Sequence, residues 1–266
     1  MNPISINDYF NKKNPWSERL LGFIDFQKKR DLQQIESEYN LDKYAGLLKF
    51  EHENIEACKT KEFELAGLGP ESFTHISFGD SIFHTSTTIA RNIYSSLIKT
   101  KVQQYISTNV CELGCGYGYN LSFFKNNPYG GEYTKNAVKL GQKLGYDISE
   151  FNYYNESDYN FIKPDTTIFT VHSIEQIPDA TVIIKSLEKQ KDKINYIVHF
   201  EPTIVKERNT LMGLMRNKYM EKNDYNRNLI DVLQAHPDIE VLELKTDIFG
   251  LVPLNTTNLI VWKFKS

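Results

Sequence analysis

Cysteine is scarce: Cys58, Cys111 and Cys115 are the only three in 266 residues. An odd count without a C-x-x-C pair excludes a disulfide framework, so all three read as reduced thiols. No secretory pattern follows Met1-Asn2-Pro3, and the expected location is the cytoplasm. Long apolar runs are missing too. Nothing approaches the roughly 18 consecutive residues of a membrane span, so no membrane partner is expected. With 9 Pro and 14 Gly, the chain is too poor in both for a disordered or collagen-like polymer. Basic excess is also lacking: 31 Lys and Arg stand against 34 Asp and Glu, a net charge of −3. A nucleic-acid binder carries a basic surplus on one face, so no nucleic-acid partner is expected. The run Lys28-Lys29-Arg30 reads as a solvated helical face. What is present is a hydrophobic share of 40%, enough for a sizeable core in one α/β domain with an extension. An enzyme acting on a small molecule fits this composition.

Residues 1–70 read as a helical extension. Leu20, Leu21, Ile24 and Phe26 form one apolar stripe, and Ile35, Tyr39, Leu41, Tyr44, Leu47 and Leu48 form another. Spacing leaves open whether this unit is a cap on the main domain or a lid over an active site. Gly67-Leu68-Gly69-Pro70 breaks it off from residues 71–266. Residues 73–88 are polar and hold His75, Asp80 and His84, and a helix is expected from Thr85, with Thr85 or Ser86 as its cap. Beyond residue 108 short apolar runs alternate with helical stretches. Strands are expected at 109–113, near 131–132, and at 147–154, 166–171, 196–201, 239–244 and 259–264; helices are expected at 119–126, 136–144, 180–190 and 203–233. This alternation predicts an α/β fold, a mostly parallel doubly wound sheet with helices on both faces. Residues 245–258 lack helical periodicity, so the final strand is expected to be antiparallel.

The strongest signal is Val110-Cys111-Glu112-Leu113-Gly114-Cys115-Gly116-Tyr117-Gly118, a strand running through glycines towards a helix, where backbone can approach a ligand. The G-x-G-x-G spacing, with an acid two positions before the first glycine, resembles the signature of class I (Rossmann-like) S-adenosylmethionine-dependent methyltransferases. The nicotinamide fingerprint places its third glycine one position later, which disfavours a dehydrogenase. The resemblance covers residues 110–178 and implies S-adenosylmethionine as cofactor, held by Glu112, Gly114, Gly116 and Gly118. It further implies Glu132 as the ribose ligand, Tyr133 flanking the adenine, and Asn155 against the adenine amino group. After the fourth strand, Ile174-Glu175-Gln176 stands where the family has a Leu-Glu-His-like triplet, so the usual His is replaced by Gln.

Methyl transfer to an alcohol needs a base for the departing proton, and His serves near neutral pH. His172 follows the fourth strand and His199 lies in the fifth, two residues from Glu201 and therefore on the same strand face. Both histidines are candidate bases. Glu201 and His84 are candidate substrate contacts. No adjacent acidic pair or H-x-x-x-H spacing supports a metal site, and none is expected. An Asn/Asp-Pro-Pro-aromatic tetrapeptide for base amino groups is missing, as is the acidic pair that would hold a protein arginine. The expected acceptor is therefore a small polar metabolite methylated on a hydroxyl. A sugar or a phosphorylated precursor fits, because the chain resembles bacterial methyltransferases that decorate surface polysaccharides. N-methylation of a small amine, and a non-catalytic cofactor-binding subunit that activates a partner, are the alternatives.

Overall fold

The computed structural model describes residues 1–11 and 14–265. Its strands are β1 (Asn2–Ile4), β2 (Phe73–Phe78), β3 (Ser81–Ser86), β4 (Asn109–Leu113), β5 (Pro128–Glu132), β6 (Asp147–Glu150), β7 (Thr166–Val171), β8 (Ile194–Glu201), β9 (Ile239–Phe249) and β10 (Thr257–Phe264). Seven of them form one sheet in the order β6-β5-β4-β7-β8-β10-β9. Every neighbouring pair from β6 to β8 is parallel, while β10 runs antiparallel to both β8 and β9. This is the mostly parallel α/β sheet with an antiparallel final strand that the alternation predicts.

Parallel strands covered on both faces carry apolar residues on both sides of the pleat. In β7, Ile168 packs with Leu113, Ile183, Ile197 and Trp262 on one face. Its neighbour Phe169 packs with Ile98, Val110, Val198 and Val261 on the other. Strand β4 is central, with β5 on one side and β7 on the other. The connections leave it in opposite directions, which opens a crevice beyond the carboxyl ends of these strands.

Several elements differ from the sequence expectation. Residues 73–88 form a hairpin, β2 and β3, which pairs with β1 in a separate three-stranded antiparallel sheet. Its turn uses Gly79 at φ +51°, and one face stays largely solvated, so the polar composition concealed a strand pair. Buried Arg216 fastens this hairpin: Nη1 donates to Asp80 Oδ1 at 3.0 Å and Nη2 to the Gly79 carbonyl at 2.7 Å. The helix expected at 119–126 is a single 3₁₀ turn, Asn120–Phe123. The long helix expected at 203–233 is two, Leu211–Lys222 and Leu229–Ala235. Strand β9 runs on to Phe249, leaving only residues 250–256 to reach β10.

Within the extension, the helix Leu32–Ile35 continues as a π-helix, Glu36–Tyr44, and then as Ala45–Leu47. Asn40 ties this segment to the main domain by accepting from Asn136 N at 2.8 Å through Oδ1 and from Asn136 Nδ2 at 2.9 Å through its carbonyl. The helix Ile55–Leu65, capped by Asn54, follows beside the same crevice.

Candidate functional site

A cavity of about 400 Å³ opens at the carboxyl ends of β4, β5 and β7, and residues Leu32, Ile35, Tyr39, Lys43 and Tyr44 of the extension contribute to its wall. Gly114, Cys115 and Gly116 of the glycine loop also line it. Gly114 adopts φ +73°, and a Cβ there would fall 2.3 Å from Ser173 Cβ. Gly116 adopts φ +55°, and a Cβ there would come within 2.7 Å of the Tyr44 hydroxyl. Both positions therefore need glycine, for backbone conformation and for close approach. Gly118 lies outside the cavity lining, against Ile148, Tyr146 and Leu121; its place is in packing.

Two acids flank the loop. Glu112 projects from β4 and accepts from Asn120 Nδ2 at 2.7 Å through Oε1. Its Oε2 is buried and has no hydrogen-bond partner among the described residues. Burial drives the Glu112 carboxyl well above the usual range; Asn120 and Lys59 oppose that rise, while the charges of Glu132 and Glu201 add to it. Glu132, at the end of β5, accepts from Gly116 N at 2.9 Å through Oε2 and from Thr134 N and Oγ1 at 2.9 and 2.6 Å through Oε1. It thus fixes the loop that it faces, and it lines the cavity together with Tyr133. Asn155 does not. Its side chain accepts from Ser157 N at 3.3 Å and donates to Asp158 at 2.6 Å, capping an exposed 3₁₀ turn. Asn152, three residues earlier, is the amide that lines the cavity there.

Sequence reasoning missed a charged cluster on the extension. Glu62 bridges Lys43 at 2.6 Å and Lys59 at 2.8 Å, and the Tyr117 hydroxyl donates to it at 2.7 Å. Burial opposes ionisation of Glu62, but the two lysines outweigh it and hold the carboxyl well below the usual range. Nothing in the spacing of these residues signals that they meet at a cavity wall.

Beyond β7 the chain turns sharply at His172, which adopts φ +50°, a region costly for a non-glycine residue. The turn brings the imidazole into the cavity lining. Nδ1 lies 3.0 Å from Glu175 Oε2 and Nε2 lies 2.9 Å from Thr257 Oγ1. Thr257 in turn bonds the Tyr94 hydroxyl at 3.0 Å, giving a continuous chain from Glu175 to Tyr94. Burial opposes the charged form of His172, yet the neighbouring Glu175 and then Glu201 outweigh it and raise the imidazole pKa above its ordinary value. Tyr94 and Thr257 were not anticipated; the only sign of Tyr94 is a hydroxyl on the otherwise apolar buried face of Ala90, Ile98 and Val102.

The remaining candidates lie away from the cavity. Glu201 is buried beneath it, accepting from Ser173 N at 3.0 Å and Glu175 N at 3.1 Å, so it positions the post-β7 turn instead of contacting a substrate. His199 is fully buried beside Trp262, with Nδ1 2.8 Å from Thr170 Oγ1. Burial pushes its pKa down to about 3, and it is not part of the cavity lining. His84 sits in the small sheet, stacked on Phe73 with ring centroids 5.2 Å apart, and is likewise outside the cavity.

No protein-family model and no curated protein matches the sequence. Among solved structures, the chain is similar to the [4+2]-cyclase SpnF, at 12% identity over 90% of this chain and 98% of that one, with a TM-score of 0.56. It is also similar to the magnesium protoporphyrin IX methyltransferase ChlM of Synechocystis PCC 6803 with bound SAH, at 10% identity over 89% and 100% of the two chains, with a TM-score of 0.51. At these identities the likeness is one of fold.

Proposed function

We propose that this chain binds S-adenosylmethionine and transfers its methyl group to a hydroxyl of a small polar metabolite, with residues 1–70 acting as the lid. The observation that carries the reading is Glu112. A buried carboxyl oxygen without a hydrogen-bond partner, its ionisation opposed by burial, beside a glycine loop at the switch point of the sheet, is an incomplete site that a bound cation would both satisfy and ionise. The ammonium of a methionine tail completes it, Lys43 and Lys59 supply positive potential for the carboxylate of that tail, and Glu132 and Tyr133 suit a ribose and an adenine. When bound, the cofactor supplies an electrophilic methyl on a sulfonium. The fold alone does not choose the chemistry, since one of its structural likenesses is to a protein named a cyclase.

His172 is the base in this reading. Its Nδ1–H faces the Glu175 carboxylate, which leaves Nε2 to take the proton in the neutral imidazole. Thr257 is buried behind the cavity and bonds both His172 Nε2 and the Tyr94 hydroxyl; Tyr94 lines the cavity, so the acceptor's proton reaches Nε2 by way of Tyr94 and Thr257. The experiment is a transfer assay with labelled S-adenosylmethionine and a library of sugars, nucleotide sugars and amines. His172→Ala lowers kcat at least about a hundredfold, the usual worth of a positioned base, while affinity for S-adenosylhomocysteine changes little. Full activity in His172→Ala with loss in His199→Ala moves the base to β8. Activity in both variants points to an amine acceptor. Cofactor binding without transfer to any acceptor favours the non-catalytic reading.

A further inference from the structure

We propose that Gln176 and Asn255 form the acceptor-recognition pair of the site, and that they select an uncharged acceptor bearing adjacent hydroxyls over a phosphorylated or carboxylated one. This rests on the methyl-transfer reading above and narrows its substrate. Glu175 is only 4% exposed. Its Oε1 accepts from Gln176 Nε2 at 2.7 Å and its Oε2 from Asn255 Nδ2 at 3.1 Å. Those two bonds settle how each amide is turned. Reversing either would set a carbonyl oxygen against a carboxylate oxygen, two acceptors with no proton between them. Gln176 Oε1 and Asn255 Oδ1 therefore face away from Glu175.

Both of these oxygens are buried and have no donor among the described residues, and both side chains line the cavity. Gln176 is 7% exposed, so bulk water does not serve it. Buried acceptors in folded proteins are nearly always satisfied, and here the missing partners are donors from a ligand. Two acceptors flanking one carboxylate match two neighbouring O–H groups. A phosphate or carboxylate brings no such donors and sets a negative charge beside Glu175. Lys43 and Lys59 already share Glu62 and serve the cofactor's carboxylate in the reading above, and Arg91 is turned onto the Phe63 ring and towards Glu56. Ile98, Leu251 and Val252 complete the wall, which suits the C–H face of a ring.

The test uses the full chain saturated with S-adenosylhomocysteine and measures binding of five probes: methyl glucoside, its 3-deoxy analogue (which has no adjacent hydroxyls), glucosamine, glucuronate and glucose 6-phosphate. Labelled S-adenosylmethionine then reports transfer to each. The expected result is binding and labelling of methyl glucoside, with the 3-deoxy analogue about tenfold weaker, the effect of one lost hydrogen bond to a buried acceptor. Gln176→Met and Asn255→Leu, which keep side-chain volume, each raise the KM for methyl glucoside about tenfold, with a smaller effect on kcat and with cofactor affinity unchanged. Tighter binding of glucose 6-phosphate or glucuronate, equal binding of the 3-deoxy analogue, or no binding of methyl glucoside overturns the proposal. The 3-deoxy comparison needs no variant and stands even if a substitution unfolds the chain. Label on the nitrogen of glucosamine alone overturns the diol and leaves methyl transfer intact. Failure of the wild-type chain to bind S-adenosylhomocysteine removes the underlying reading instead.

Discussion

Each acid at the site has a role set by the donors around it. Glu132 accepts three hydrogen bonds from Gly116 and Thr134, so Glu132→Ala removes a ligand contact and frees the glycine loop together. Bonds to a charged acceptor are worth about 1.5–3 kcal/mol each. Affinity for S-adenosylhomocysteine should fall tenfold or more, with a lower Tm; an unchanged Kd in calorimetry would remove Glu132 from the ligand. For His172 the sign follows from its raised pKa. The neutral base is lost as pH falls through a value above the ordinary 6.5, so the acid limb of kcat lies above that pH. The imidazolium contact with Glu175 contributes stability that is fully present below the unfolded-state pKa and lost as pH rises through the raised one. Denaturant unfolding of the wild type and His172→Ala at a series of pH values checks this: the difference between them should shrink towards alkaline pH.

Among the elements, the small sheet and the N-terminal extension are each fastened to the main domain by buried polar side chains, Arg216 and Asn40 among them. Arg216 is fully buried and joins the β2–β3 turn to the Pro253 carbonyl, with Nε donating at 2.9 Å. Asp80 is part-exposed, but the Gly79 and Pro253 carbonyls lose a charged donor, worth about 1.5–3 kcal/mol each, so Arg216→Ala should destabilise the chain by about 3 kcal/mol or more in urea unfolding. Asn40 ties the extension to Asn136; on the proposed lid reading, Asn40→Ala should speed release of S-adenosylhomocysteine up to about tenfold, the worth of a neutral hydrogen bond, as read by stopped flow. Legibility also divides by element. The run from Val110 to Gly118 was readable because a buried parallel strand ending in glycines has a sharp local pattern. The hairpin was not, because one exposed face leaves Ile76 and Ile82 as its fully buried apolar residues. Asn152 lines the cavity where Asn155 is expected because β6 stops at Glu150, four residues short of its expected end. Gln176 stood out only as a departure from a family pattern. Its part in the site depends on Asn255 from the β9–β10 connection, a meeting that tertiary structure alone creates.

As a whole molecule, the chain places an open crevice at the switch point of a seven-stranded sheet and covers it with an extension that the resemblance does not include. Structures sharing this fold carry different names, a cyclase and a methyltransferase, so the cofactor is the claim on which the rest depends. A calorimetric titration of the full chain with S-adenosylhomocysteine and, separately, with NAD tests it most directly. The account predicts one saturable site for S-adenosylhomocysteine in the micromolar range, about −8 kcal/mol, and no saturable binding of NAD. NAD binding tighter than S-adenosylhomocysteine, or no binding of S-adenosylhomocysteine at all, would contradict it.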